Sequence, residues 1–290
     1  MRLTVSVPAT VANLGPGFDC LAIALDLVNA VAVDTEGTPG VRVEGEGAGE
    51  LPEDASNLIL RSMAHLTDET GSVLPQLSLS CRNRIPLERG LGSSAAATVA
   101  GLVLADRILG SSVPPERLLQ MAVEVEGHPD NVAAALLGGL TLAYRSRDGW
   151  RAESIEPSPD LRPVVLIPDG ERLPTSEARR VLPREVAFDD ATFNLGRAAL
   201  AVLALTSRPD LLGEALEDRL HQPARLELVP AVEALFRHLK GAGVPVCVAG
   251  AGPSLLAFES DGRPLPEIGP GWRLLRVLPR ARGAEVALGF

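Results

Sequence analysis

The sequence has 290 residues, long for a single core and suited to two domains. Its hydrophobic content of 46% includes no unbroken apolar run of membrane-spanning length, and its net charge of −10 comes without a basic cluster. Both observations speak against a membrane partner, whether spanned or bound by charge, and against a nucleic-acid partner.

In chain order, Arg2–Pro8 alternates as a strand and leads into Ala9-Thr10-Val11-Ala12-Asn13-Leu14-Gly15-Pro16-Gly17-Phe18-Asp19. Gly15-Pro16-Gly17 is a turn, flanked by Asn13 and Asp19. Short polar side chains there either bond their own backbone or offer an amide and a carboxylate to a small polar ligand. With no apolar secretory block in this first stretch, the chain is expected in the cytoplasm. Residues 26–46 alternate on both sides of a Gly/Pro turn, which predicts a hairpin. Asn57 reads as the cap of a helix with Leu58, Ile59, Met63 and Leu66 on its apolar stripe. Cys20, Cys81 and Cys247 have neither disulfide-framework nor metal-ligand spacing and read as small buried residues.

The most informative stretch is Arg84-Ile85-Pro86-Leu87-Glu88-Arg89-Gly90-Leu91-Gly92-Ser93-Ser94-Ala95-Ala96-Ala97, between a strand around Leu77–Cys81 and an Ala-rich helix. Gly90 and Gly92 admit backbone angles closed to other residues, and Ser93 and Ser94 stand where a helix N-cap belongs. Free N–H groups at a helix start attract anions, so the local chemistry points to phosphate. The common phosphate loop with lysine is excluded, because Lys240 is the only lysine; a dinucleotide turn is excluded by Ala95 in place of its third glycine.

Pro114-Pro115 opens a further helix with Leu118, Leu119, Ala122 and Val125 as its stripe. It ends in Glu124-Val125-Glu126-Gly127-His128-Pro129-Asp130-Asn131-Val132, which reads either as paired helix caps or as a polar site. Strands at Leu140–Tyr144 and Arg151–Ile155 precede a boundary near Pro157-Ser158-Pro159, dividing the chain into 1–156 and 157–290. The second part begins with the apolar strand Pro163–Pro168. Beyond it, Thr175 and Arg179 share a helical face, and His221-Gln222-Pro223-Ala224-Arg225 follows later. Helices at 192–206 and 230–241, a strand at Val244–Val248, the loop Ala249-Gly250-Ala251-Gly252-Pro253-Ser254 and strands at 254–258, 272–278 and 285–288 complete an α+β sandwich.

The string P-x-x-x-G-L-G-S-S-A-A resembles the ATP-binding loop of the GHMP kinases, the superfamily of galactokinase, homoserine kinase and mevalonate kinase. A-N-L-G-P-G-F-D, E-G-H-P-D-N-V, T-x-x-x-R and H-x-P-x-R, in that order over nearly the whole chain, resemble the homoserine kinases in particular, and G-A-G-P-S resembles the third superfamily motif. The resemblance implies an α+β, two-domain fold: a ribosomal-protein-S5-domain-2-like N-terminal domain and a ferredoxin-like α/β sandwich C-terminal domain. It implies ATP, held by Pro86, Leu87, Glu88, Arg89, Gly90, Leu91, Gly92, Ser93, Ser94, Ala95 and Ala96, with Asn57 near the base. It implies L-homoserine, held by Asn13, Asp19, His128, Asn131, Thr175, Arg179 and Arg225; Asp19 faces the ammonium and the two arginines are the natural pair for the carboxylate. Mg²⁺ is expected on Ser94 and a glutamate, for which Glu124 and Glu126 both qualify and Glu126 lies nearer the loop. Asp130 lies close to where mevalonate kinase and galactokinase place a catalytic aspartate. No general base is obvious, so alignment is expected to dominate, with Asp19 or Asp130 assisting. A homodimer is a further expectation. Thr10 and Asn13 stand where mevalonate kinase has a lysine, which weakens a mevalonate-type mechanism. Another small-molecule GHMP kinase, of mevalonate or sugar type, and a non-catalytic binding protein on the same scaffold stay open as alternatives.

Overall fold

The computed structural model describes residues 1–260 and 264–288. A seven-stranded sheet holds β1 (Arg2–Asn13), β2 (Gly17–Asp34), β3 (Gly40–Gly45), β4 (Ser78–Asn83), β5 (Leu140–Ser146), β6 (Gly149–Ile155) and β11 (Glu285–Leu288). It carries α1 (Leu58–Thr70), α2 (Ser93–Ile108), α3 (Pro115–Glu126) and α4 (Asp130–Leu137). A four-stranded sheet holds β7 (Pro163–Pro168), β8 (Val246–Val248), β9 (Leu255–Phe258) and β10 (Trp272–Arg276), in the order β10-β7-β9-β8. With it come α5 (Thr175–Arg180), α6 (Phe188–Thr206), α7 (Leu212–Ala215), α8 (Gln222–Leu226) and α9 (Pro230–Gly241). Among the described residues no helix is long and apolar enough to cross a membrane.

β1 alternates as its sequence requires, with Val5, Val7, Ala9 and Val11 fully buried. Its pairing with β2 shifts register between Pro8 and Ala9, where proline has no N–H to give to the ladder. Residues 26–46 do not form a hairpin. β3 runs parallel to β4, and β4 lies between β2 and β3 in the order β11-β1-β2-β4-β3. The reason is α1: parallel neighbours need a crossover, and the helix between β3 and β4 supplies it. Asn57 caps that helix, its Oδ1 accepting the Ile59 N–H at 3.0 Å. The final strand also departs from expectation. β11 does not complete the second sheet but pairs antiparallel with β1, Leu3 opposite Leu288.

The passage near residue 157 takes the chain from one sheet to the other, yet the main apolar core reaches both. Val165 and Ile167 of β7 join the main cluster of the first sheet, while Val164 and Leu166 face a second cluster with Leu226, Val232 and Leu239 of α8 and α9. Cys81 and Cys247 are buried and Cys20 is partly so; all three are free thiols. Burial pushes Cys20 and Cys81 up to about 11 and Cys247 up to about 12, so they stay protonated and unreactive.

α1 and α2 cross at backbone contact. A Cβ on Gly101 would lie 2.4 Å from the Ile59 carbonyl oxygen. Gly101→Ala is expected to lower unfolding free energy by about 2 kcal/mol in urea titrations, because two backbones must separate. Gly196→Ala, on α6 with nothing within 4 Å of the new methyl, is expected to leave stability unchanged or raise it by up to about 1 kcal/mol.

Candidate active site

The loop between β4 and α2 is shaped by close backbone approach. Gly90 and Gly92 have φ of 71° and 68°. A Cβ on Gly90 would sit 2.0 Å from the Ala249 carbonyl oxygen, and one on Gly92 would sit 2.0 Å from Thr10 Oγ1. Only glycine fits either position. The helix cap is Gly92 itself, so Ser93 and Ser94 are the first two residues of α2 and not its capping side chains. Their hydroxyls are thereby left for other partners, and the first N–H groups of α2 remain without helical acceptors. Arg89 ties the loop to the second sheet by donating to the Pro168 carbonyl at 2.8 Å. Glu88 accepts the Leu173 N–H at 3.1 Å through its carbonyl.

Pro86 to Ser94, with Ala96, line a cleft of about 440 Å³ whose wall also includes His128, Asp130, Asn131, Thr175, Arg179 and Arg225. Ala95 is not part of that wall and packs in the core. Asn57 lines the cleft, but both ends of its amide are engaged by its own segment, accepting from Ile59 and donating to Pro52.

One end of the loop meets a carboxylate. Ser94 Oγ donates to Glu126 Oε2 at 2.9 Å, and Thr98 Oγ1, one turn further along α2, donates to Oε1 at 3.0 Å. Glu124 points elsewhere, because residues two apart on a helix do not share a face. It contacts His65 Nε2 at 3.1 Å and Gln120 Nε2 at 3.0 Å, with Arg117 nearby. Burial works against its ionisation, but these neighbours prevail and hold it below the ordinary glutamate value. Of the two glutamates, only Glu126 faces Ser94. Among the described residues no cluster of three His, Cys, Asp or Glu could hold a metal by itself. A hydroxyl and one carboxylate do suit Mg²⁺, which takes hard oxygens and keeps several waters and phosphate oxygens in its shell.

The other end carries both charges; Asn13 and Asp19 are not part of the cleft wall, and Asp19 adjoins it through Arg179. Asp19, at a left-handed φ of 56°, accepts from Arg179 at 2.6 and 3.0 Å. Asn13 Oδ1 accepts the Asp19 N–H at 3.1 Å, and Asn13 Nδ2 donates to the Gly250 carbonyl at 2.8 Å. Arg225 donates to the same carbonyl at 2.8 Å, and its buried Nε has no partner among the described residues. Burial lowers Arg225 to about 10, which leaves it charged at neutral pH. Phe18 is within reach of both arginines, their guanidinium carbons 5.6 and 5.3 Å from its ring centre. His128 is mostly buried, which disfavours its charge, yet its Nδ1 contact with Asp130 at 3.0 Å prevails and raises it above the ordinary histidine value. Asp130 also accepts the Asn131 N–H at 2.6 Å, and Thr10 Oγ1 donates to Asn131 Oδ1 at 2.8 Å.

Sequence reasoning passed over Phe18, Thr98 and the role of His221. Thr98 was findable, one helical turn beyond Ser94. Phe18 was not, since an aromatic in a loop reads as packing. His221 is buried and sets the position of Arg225. Arg225 Nη1 lies 3.2 Å from His221 Nδ1, so that nitrogen is the acceptor and Nε2–H donates to the Gly15 carbonyl at 2.7 Å. Burial depresses His221 from 6.5 to about 4, against the pull of Asp218, so the ring is neutral.

The family model for the N-terminal domain of GHMP kinases matches residues 57–139, and that for their C-terminal domain matches residues 199–267. A homoserine kinase of Streptomyces coelicolor is 47% identical over 290 residues, covering 97% of this chain and 93% of its own. The chain belongs to the homoserine kinase family. Another homoserine kinase, from Mycolicibacterium vanbaalenii, is 45% identical over 270 residues, 90% of this chain and 86% of its own. The crystal structure of homoserine kinase from Cytophaga hutchinsonii superposes with a TM-score of 0.82 at 28% identity, covering 99% of this chain and 97% of that one. The two sheets described above are thus the two-domain α+β fold of the GHMP kinases.

The neutral His221 has a pH signature. Its folded value lies below its unfolded one, so the unfolded chain takes up the proton first. The contribution is complete above about pH 6.5 and is lost as pH falls toward 4. His221→Asn is expected to flatten the fall of unfolding free energy over that window by about 1.4 kcal/mol per pH unit, measured by urea titration. An unchanged slope would show that the ring is already solvated.

Proposed function

We propose that the chain transfers the γ-phosphoryl group of ATP to the side-chain hydroxyl of L-homoserine, giving O-phospho-L-homoserine and ADP in threonine biosynthesis in the cytoplasm. The observation that carries this reading is a single cleft lined both by the anion-attracting start of α2 and by Arg179 and Arg225. A carboxylated alcohol and a nucleotide tail are what such a cleft takes.

Phosphoryl transfer asks mainly for positioning and for neutralising charge on the transferred group. The backbone N–H groups after Gly92 hold the phosphates. Ser94 and Glu126 hold Mg²⁺, with Thr98 fixing the carboxylate; the ion supplies charge neutralisation on the phosphate oxygens. Asn13 holds the first loop against Gly250, so that Asp19 meets the substrate ammonium while Arg179 and Arg225 meet its carboxylate. Asn131, oriented by Thr10, and His128 line the acceptor side, with Thr175 opposite. With Asp19 taken up by the substrate ammonium, Asp130, oriented by His128 and the Asn131 N–H, is the carboxylate left to assist the hydroxyl. The expected homodimer has a surface to match in α6, where Phe188, Leu195 and Leu203 are exposed on one face.

A coupled ADP-release assay with homoserine, serine and mevalonate tests the reaction. Rapid release with homoserine alone is expected, and release with mevalonate instead would overturn the reading. Ser94→Ala is expected to raise the Mg²⁺ concentration for half-maximal rate by about tenfold. An unaltered Mg²⁺ dependence would take Ser94 out of the metal shell. Leu195→Glu is expected to shift sedimentation from dimer to monomer; a wild-type monomer would remove the dimer.

A further inference from the structure

The two groups assigned to opposite ends of an amino acid hold each other in this structure. Arg179 Nη2 donates to Asp19 Oδ1 at 2.6 Å and Nη1 donates to Oδ2 at 3.0 Å, a two-pronged pair in which each side chain is 34% exposed. Arg225, whose guanidinium carbon lies 5.3 Å from the centre of the Phe18 ring, is held differently. It is 4% exposed, it donates to a carbonyl, and its Nε is buried without a partner. Among the described residues, the site therefore holds one arginine with no carboxylate bonded to it and one whose anion is built in.

We propose that the Asp19–Arg179 pair is a lock that admits zwitterions and turns away molecules bearing only one of the two charges; the inference rests on the amino-acid reading of the cleft given above. A zwitterion opens the pair without loss. Its ammonium replaces Arg179 on Asp19, and its carboxylate replaces Asp19 on Arg179 while reaching Arg225. Each charge-assisted bond that breaks is replaced by one of the same kind. A hydroxy acid without the ammonium must choose. It either leaves the pair shut and binds Arg225 alone, or draws Arg179 away and strands Asp19 without a partner. A stranded, partly desolvated charge weakens binding by about tenfold to a hundredfold. An amino alcohol without the carboxylate meets the converse penalty at Arg179. The lock thus discriminates through what the wrong ligand leaves unpaired.

The local geometry says which half moves. Asp19 sits at a left-handed φ of 56°, pinned by Asn13 through its own N–H, so its carboxylate has a fixed origin. Arg179 swings on a long side chain from the six-residue helix α5 and rests near Phe18, which lies within reach of both arginines. Ring and guanidinium let Arg179 exchange one carboxylate for another while remaining over the same aromatic face.

The test measures binding of homoserine and of 4-hydroxybutyrate, the same skeleton without the ammonium, by calorimetry with a non-hydrolysable ATP analogue present. In Asp19→Asn, homoserine is expected to weaken by about tenfold or more, while 4-hydroxybutyrate tightens by about tenfold because Arg179 is released to receive it. A merely structural role for Asp19 would weaken both ligands together. That result, or an unchanged affinity for 4-hydroxybutyrate, overturns the lock. Arg179→Gln gives the converse test, with 3-aminopropan-1-ol expected to gain on homoserine, and it decides the matter if Asp19→Asn loses nucleotide binding through misfolding. Failure of the wild-type protein to bind homoserine at all would sink the functional reading itself. Normal homoserine binding without inverted selectivity in the variants sinks the lock alone.

Discussion

One backbone carbonyl, that of Gly250, holds the cleft together. It accepts Asn13 Nδ2 and Arg225 Nη1, each at 2.8 Å, and so joins the loop after β1, the helix α8 and the turn between β8 and β9. The same turn presses on the loop between β4 and α2: a Cβ on Gly250 would lie 2.9 Å from the Gly90 carbonyl oxygen, and Gly250 N–H donates to the Ala12 carbonyl at 3.2 Å. Three loops from two sheets therefore meet backbone to backbone, and no side chain fits between them. This explains why glycines gather here, and why Arg179, Arg225 and the start of α2 face one space.

The electrostatics follow from that closeness. A chain with a net charge of −10 places two guanidiniums near one phenyl ring at one end of the cleft. Repulsion between them is contained by different means: Arg179 is paired with Asp19, while Arg225 is stripped of water and held by carbonyl and imidazole acceptors. The neutral His221 is part of that arrangement, since only an unprotonated Nδ1 can accept from Arg225. Asp218 braces the same turn by accepting four donors: the N–H groups of Leu220, His221 and Gln222, and the Asn194 amide. Buried polar groups so thoroughly satisfied form a rigid support for Arg225, whose Nε is left open.

Much of the architecture was legible because alternation and helical spacing are local. β7 and α9 fall where their apolar patterns place them, at Pro163–Pro168 and Pro230–Gly241. Partners were not legible, because alternation in a strand says which face is buried and nothing about its neighbour. Hence residues 26–46 suggested a hairpin although the neighbour of β3 is made only after α1, and β11 suggested the second sheet although its partner is β1. At the cleft, the clustering of Ser94, Asn131 and Arg225 was readable from motifs, but Phe18 and His221 act through contacts between segments about two hundred residues apart, which spacing cannot carry. The serines after Gly92 looked like a cap, and the glycine itself took that position because a left-handed backbone was needed there.

The antiparallel seam between β1 and β11 sets an order of events during synthesis. β1 leaves the ribosome long before its neighbour on one side, so one edge of the larger sheet stays open while more than two hundred residues are added. An uncovered strand edge is a template for unwanted pairing. Translation speed and holding factors that shield nascent chains therefore bear on this protein's yield more than on that of a fold whose first strand closes early.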